Sequence, residues 1–101
     1  MSMKSYYVYI LLCSDKSYYT GITNDIDRRF FEHSEGLNAN CYTYKRRPLT
    51  LVFCETFTDV NQAIAFEKQV KGWRRAKKEA IINGNWDLLP ELAKTAKRKN
   101  I

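Results

Sequence analysis

The sequence predicts an α+β fold, in which a small, three-stranded, mainly antiparallel sheet is flanked by helices in a sandwich-like arrangement, in the order β-β-α-β-α-α. Its 101 residues are enough for one domain and too few for two. Two aromatic and β-branched segments follow each other within the first 23 residues, and helical patterns dominate after residue 57. We therefore expect one domain over residues 1–88, with residues 89–101 forming its C-terminal helix or basic tail.

The strands are predicted from three apolar segments. Residues 6–12 are apolar throughout, which is typical of a central strand with both faces covered. Residues 18–23 form a second strand, and the polar turn at 14–17 joins the two into a hairpin. Residues 49–57 alternate sufficiently for a third strand. The longest apolar run has eight residues, far below the ~18–20 that a membrane helix needs.

Capping residues set the bounds of the helices. The first helix begins after Asn24 or Asp25, runs to about residue 33 or 35 and ends at Gly36. A polar, irregular stretch over 36–48 follows.

Three further helices are predicted after the third strand. The second helix covers about 60–71 after a cap at Thr58 or Asp59, and the third covers 74–83. A last short helix is expected over 87–99.

The basic residues concentrate in the second half of the chain. Lys and Arg number 17 against 11 acidic residues, and ten of the basic but five of the acidic ones lie in 59–101. Such a charge indicates either a polyanionic partner or a solvated helix face.

The cysteines favour a reducing compartment. Cys13, Cys41 and Cys54 are an odd number, widely spaced and without a C-x-x-C motif, which fits reduced thiols in a cytoplasmic protein better than disulfides or a zinc site.

Polar residues fall on helix faces where a core is expected. Glu67 lies between Ala63 and Val70 on the apolar stripe of the second helix, a costly place for a carboxylate without a partner. The carboxylate of Glu67 either forms a salt bridge with a nearby arginine or binds a divalent metal. Arg29 and His33 are i, i+4 neighbours on the first helix. The histidine either has a structural role or takes part in catalysis.

The hairpin carries a third polar set. Tyr9 and Tyr19 are either core rings with a solvated hydroxyl or site residues. Gly21, on the strand face of Tyr19, is expected to leave open space for a phosphate or a backbone.

Together these features resemble the GIY-YIG nuclease superfamily, in particular its small, stand-alone, single-domain bacterial branch. The two name motifs correspond to residues 7–9 and 19–21, with their tyrosines ten positions apart. The family arginine, eight positions after the motif glycine, corresponds to Arg29, and the His or Tyr four positions later to His33. Glu67 corresponds to the glutamate that holds the metal.

This sequence departs from the family pattern at several positions. Tyr7 and Thr20 replace a Gly and an Ile of the motifs, and Ile22 replaces a polar or basic residue that larger members carry. The downstream Asn of many members aligns securely with neither Asn83 nor Asn85.

The resemblance implies metal-dependent hydrolysis of phosphodiester bonds in DNA, structure-selective or weakly sequence-selective, with a role in DNA repair or recombination. It implies that Glu67 holds one Mg²⁺ or Mn²⁺ ion and that Arg29 contacts the scissile phosphate. Tyr19, and less directly Tyr9, would lie beside the attacking water, and His33 would act as base or relay. Either Tyr19 or His33 is the general base.

The implied partner is nucleic acid, DNA rather than RNA, with no membrane and no small-molecule cofactor. Basic residues in two groups are expected to contact phosphates without reading bases. They are Lys45, Arg46, Arg47, Lys68, Lys71, Arg74, Arg75, Lys77 and Lys78. The alternative is a nucleic-acid-binding module that does not cut, or a docking partner of a larger repair complex.

Overall fold

The sheet is the centre of the fold in the computed structural model, which describes residues 4–90. Strands β1 (Tyr6–Leu12), β2 (Tyr18–Thr23) and β3 (Thr50–Phe57) form one antiparallel sheet in the order β2-β1-β3. β1 is the central strand, as its apolar run predicts, and its residues 8–11 are buried. The α+β class and the order of the elements are confirmed.

Three helices follow within one residue of the predicted bounds: α1 (Ile26–Glu35), α2 (Val60–Lys71) and α3 (Arg75–Ile82). Short 3-10 turns are added at Tyr44–Arg46 and Trp86–Leu88. The second 3-10 turn lies where the predicted last helix begins. The rest of that prediction, a C-terminal helix or basic tail, falls on residues 91–101, which lie outside the described residues.

Local hydrogen bonds explain why the helices begin and end where they do. The Asp25 carboxylate accepts from the Arg28 backbone N–H at 3.0 Å and caps α1. Gly36 ends α1 with a φ of 65°, in the left-handed region that favours glycine. Asp59 accepts from the Asn61 N–H at 2.8 Å and starts α2.

The core lies between the sheet and α2, which packs against all three strands. Ala63 and Val70 of α2 are fully buried, and Phe66 packs on Phe53 and Phe57 of β3 with ring centroids 6.3 and 5.4 Å away. This confirms the predicted apolar stripe of the second helix.

The chain divides into two compact units, residues up to 71 and residues from 72 onward. In the second unit α3 buries Ala80 and Ile81, and the Asn85 N–H donates to the Ala80 carbonyl at 2.7 Å across the turn at 83–85. The expectation of one domain over 1–88 stays a prediction. Between residues 4 and 90, no helix is long and apolar enough to span a bilayer.

Candidate active site

Tyr9 lies at the centre of β1 and its side chain fills the space above Gly21. The residue is 1% exposed and is paired directly with Gly21 of β2. A Cβ atom on Gly21 would overlap the Tyr9 hydroxyl and ring. The expectation of open space for a phosphate at Gly21 is therefore wrong, because the register places the tyrosine ring there.

His33 joins Tyr9 to the loop after α1. Its Nε2 lies 3.0 Å from the Tyr9 hydroxyl, and its Nδ1 lies 2.8 Å from Oγ1 of Thr43. His33 is 4% exposed, and both ring nitrogens have partners within the protein. His33 is the buried residue of α1 and lies on the face of the helix that meets Tyr9 of β1.

Arg29 lies one helical turn before His33. Its Nη1 is 3.2 Å from a carboxylate oxygen of Glu32, and its side chain is 35% exposed. The guanidinium also lies close enough to the Tyr9 hydroxyl to interact with it. A pocket of about 220 Å³ opens beside Arg29 and His33 and is otherwise lined by Glu32 and residues from 36–44.

Burial and the charge of Arg29 govern the protonation states of this cluster. Burial raises the pKa of Tyr9 to about 12, although the hydrogen bond with Arg29 opposes the rise. Burial, followed by the positive charge of Arg29, lowers the pKa of His33. Burial acts against the charge of Arg29, but its interactions with Tyr9, Glu32 and Tyr19 together outweigh this and raise the pKa of Arg29. At neutral pH the cluster therefore holds a neutral tyrosine, a neutral histidine and a charged arginine.

Tyr19 of β2 completes the cluster from the neighbouring strand. Its ring centroid lies 6.3 Å from that of Tyr9 and 5.1 Å from that of His33. Tyr42 stacks on it at 6.1 Å with an interplanar angle of 22°. Tyr19 is half-buried, which makes it the more accessible of the two motif tyrosines.

Glu67 is buried on α2, which packs against the two strands that carry Tyr9 and Tyr19. Its carboxylate forms a salt bridge at 3.4 Å with Lys71, where an arginine was the expected partner. Because the Lys71 side chain is 62% exposed, the pair contributes at most about 1 kcal/mol to stability.

Glu67 offers a divalent metal a single carboxylate donor. In the described part of the chain, no group of three or more His, Cys, Asp and Glu side chains could hold a metal. Mg²⁺ is held in many sites by one or two carboxylates together with waters and substrate phosphates. The single carboxylate of Glu67, with its side chain 12% exposed, fits such an ion and not an all-protein cage.

Two predicted phosphate contacts in the loop after α1 are engaged within the protein. Arg46 forms a 3.0 Å salt bridge with Asp15 and lies 3.8 Å above the Tyr42 ring. Arg47 donates to the Tyr44 carbonyl at 3.0 Å and lies against Gly36. Both arginines thus organise this loop, while Lys45 between them is exposed.

The remaining predicted phosphate contacts lie on α2, on α3 and just before α3. Lys68 and Arg74 are exposed. Arg75 pairs with Glu79 at 3.1 Å, and Lys77 lies 5.5 Å from the centroid of the Trp73 ring. Lys71 pairs with Glu67 as described above, and Lys78 is half-buried.

Sequence reasoning missed three residues of the loop that contact the cluster, namely Cys41, Tyr42 and Thr43. Thr43 is 1% exposed, bonds His33 and lies 3.4 Å from the Cys41 sulfur. A buried threonine inside a polar stretch leaves no periodic signal. The i, i+2 spacing of Cys41 and Thr43 was the one local feature that could have indicated that their side chains contact each other.

The spacing of the motif residues and their arrangement in the fold agree with a match to a known family. A family model described as the GIY-YIG catalytic domain matches residues 5–80. The chain belongs to the GIY-YIG family. The match covers Tyr9, Tyr19, Arg29, His33 and Glu67.

Relatives of this GIY-YIG domain occur in archaea as well as in bacteria, so the expected bacterial branch is wider than predicted. A UPF0213 protein of Haloquadratum walsbyi is 41% identical over 83 residues, covering 82% of this chain and 92% of its own. A UPF0213 protein of Bacillus velezensis is 42% identical over 82 residues, covering 81% and 82%.

Two solution NMR structures resemble this fold. The UPF0213 protein of Bacillus halodurans has 42% identity and a TM-score of 0.53, covering 78% of this chain and 83% of its own. A protein of E. faecalis has 37% identity and a TM-score of 0.58, covering 79% and 84%.

Proposed function

We propose that this GIY-YIG domain is a divalent-metal-dependent endonuclease that hydrolyses phosphodiester bonds in DNA, with structural or weak sequence selectivity, in repair or recombination. The observation that supports the proposal is the contact cluster of Tyr9, Tyr19, Arg29 and His33. Side chains that are 24 residues apart in the chain, such as Tyr9 and His33, meet at hydrogen-bond distance. All four stand at the positions that the family motif gives to its catalytic residues.

Arg29 is suited to hold the scissile phosphate. The guanidinium is charged at neutral pH, because an arginine side chain does not lose its proton in a protein. Its side chain is 35% exposed and borders the pocket beside His33, so an anionic group can approach it. A guanidinium offers two parallel N–H donors to phosphate oxygens, which stabilise the negative charge that grows in the transition state.

The geometry favours Tyr19 over His33 as the group beside the attacking water. Both nitrogens of His33 are engaged, by Tyr9 and by Thr43, and the imidazole is buried. Tyr9 is also buried, whereas Tyr19 is half-buried and accessible. In this proposal Tyr19 orients the water, and His33 supports Tyr19 through the edge contact of the two rings at 5.1 Å.

Glu67 would hold the Mg²⁺ or Mn²⁺ ion. A bound divalent ion would supply Lewis-acid stabilisation of the phosphate charge and make water easier to deprotonate. The buried position of the carboxylate fixes its orientation, while the exposed Lys71 can move aside at small energetic cost.

A nicking assay tests the proposal. Purified protein with Mg²⁺ or Mn²⁺ is incubated with branched, single-stranded and duplex DNA, and single-turnover rates are measured beside binding isotherms. Tyr19→Phe and Arg29→Ala are expected to bind DNA within a few-fold of wild type and to cut at least about 10²-fold more slowly, because they act mainly in the transition state.

Tyr18→Phe is the matched control. Tyr18 is the neighbour of Tyr19 on β2 and, because side chains alternate along a strand, points to the opposite face. The cleavage rate of the Tyr18→Phe variant should equal that of wild type. If wild type binds every DNA but cuts none of them with either metal, the nuclease proposal is contradicted. The non-cutting nucleic-acid-binding module would then replace it.

A further inference from the structure

Two residues of the loop after α1 contact Nδ1 of His33, namely Thr43 and, with its sulfur at the longer distance of 3.7 Å, Cys41. Oγ1 of Thr43 lies 2.8 Å from Nδ1 of His33, and the threonine is 1% exposed. On its other side, Oγ1 lies 3.4 Å from the Cys41 sulfur. A continuous hydrogen-bonded row therefore runs from Tyr9 through His33 and Thr43 to Cys41.

The donors in this row can be assigned by counting hydrogens. The Arg29 guanidinium, which interacts with the Tyr9 hydroxyl, carries only donors and cannot accept the Tyr9 hydrogen. The Tyr9 hydrogen then needs an acceptor, because a buried hydroxyl hydrogen without a partner is costly. Nε2 of His33, at 3.0 Å, is that acceptor.

The remaining protons follow from this assignment. A neutral imidazole carries one N–H, and with Nε2 as acceptor that hydrogen lies on Nδ1. Nδ1 donates to Thr43, and the Thr43 hydroxyl donates onward to the Cys41 sulfur. The polar hydrogens of Tyr9, His33 and Thr43 then each have a partner. The opposite tautomer would leave the buried Tyr9 hydrogen without its histidine acceptor.

We propose that Thr43 is a positioning residue, whose hydroxyl accepts the Nδ1–H of His33 and thereby keeps Nε2 as the acceptor for the Tyr9 hydroxyl. This fixes the orientation of the Tyr9 phenol and of the imidazole edge that packs against Tyr19. The consequence for cleavage rests on the proposed function, whereas the consequence for the tautomer does not.

The tautomer can be measured directly, because His33 is the only histidine in the chain. Long-range ¹H–¹⁵N correlation spectra of the ¹⁵N-labelled protein near pH 7 distinguish a protonated from an unprotonated ring nitrogen. Wild type is expected to show protonated Nδ1 and unprotonated Nε2. Protonated Nε2 in wild type would overturn the proposal.

Variants of Thr43 test the cause. Thr43→Val keeps the shape but removes the hydroxyl, and it should shift the imidazole towards a mixture of tautomers or towards protonated Nε2. Thr43→Ser keeps the hydroxyl and should retain the wild-type pattern. An unchanged tautomer in folded Thr43→Val would overturn the proposal, and Thr43→Ala serves as a second hydroxyl-free variant should the valine disturb folding.

The cleavage readout separates the two proposals. Thr43→Val should cut about 10- to 100-fold more slowly at unchanged DNA affinity, the scale known for losing the partner that orients a metal-ligating histidine. Thr43→Ser should recover most of the rate. Loss of the wild-type tautomer in Thr43→Val without a loss of rate would refute the positioning role, whereas inactive wild type with the expected tautomer would refute only the nuclease.

Discussion

Replacing Gly21 by alanine tests the central packing contact of the site. A Cβ at this position overlaps Oη and Cζ of Tyr9 and crowds Cε1, so the ring must leave its place over the strand. Overpacking of this kind costs ~1–3 kcal/mol, and breaking the hydrogen bond to His33 costs ~1 kcal/mol more. Alanine is otherwise better than glycine within a strand by ~0.5–1 kcal/mol.

The expected net loss of stability for Gly21→Ala is therefore about 1–3 kcal/mol. Urea denaturation followed by circular dichroism measures it, and the melting temperature should fall by ~4–8 °C per kcal/mol in a domain of this size. Cleavage should fall with it, because the displaced phenol no longer contacts Arg29 and His33.

A double-mutant cycle with Tyr9→Leu identifies the cause. Leucine lacks all three of these tyrosine atoms, so in that background Gly21→Ala should be neutral or stabilising by up to ~1 kcal/mol. An equal loss of stability in both backgrounds would refute the contact with Tyr9 as the reason for the glycine.

Two further predictions concern the metal and the nucleic acid. Glu67→Gln should keep the free energy of unfolding within ~1 kcal/mol but abolish Mn²⁺ binding and cleavage; unchanged Mn²⁺ affinity in calorimetry would make the glutamate structural. The exposed Lys45, Lys68 and Arg74, replaced together by Gln, should flatten the log–log salt dependence of duplex binding by ~0.9 for each phosphate that is no longer neutralised. Lys4→Gln is the control with an unchanged slope, and an unchanged slope in the triple variant would assign these charges to a solvated face.

The fold was predictable because local signals specify its elements. The carboxylates of Asp25 and Asp59 begin α1 and α2, and the left-handed Gly36 ends α1, where the sequence places these ends. The uninterrupted apolar run of β1 identified the central strand. Each signal depends on residues within one helical turn or one strand, which is why it can be recognised without the tertiary structure.

The role of Gly21 was mispredicted, although the sequence contained the necessary information. The predicted strands end at Leu12 and begin again at Tyr18, and pairing these two residues places Tyr9 opposite Gly21. Directly paired residues share a face, so the larger side chain covers the smaller one. The register, and not the glycine alone, decides what occupies the space above it.

The loop after α1 could not be predicted, because its contacts join distant parts of the chain. Arg46 reaches Asp15, 31 positions earlier, and Thr43 reaches His33 across ten. A polar stretch without periodicity gives no indication of these partners. Its basic residues therefore suggested phosphate contacts, whereas two of them, Arg46 and Arg47, hold the loop against the protein.

The ten-residue spacing between the motif tyrosines follows from the geometry of the hairpin. Tyr19 pairs with Leu11, which places it one diagonal step from Tyr9 on the same face, with ring centroids 6.3 Å apart. A shift of the register by one residue would turn Tyr19 to the other face, and a shift by two would move it ~7 Å along the strand. Only the observed register also places Gly21 beneath the Tyr9 ring. The two motifs are therefore one packing unit, in which the glycine of the second accommodates the tyrosine of the first and leaves the second tyrosine accessible beside it.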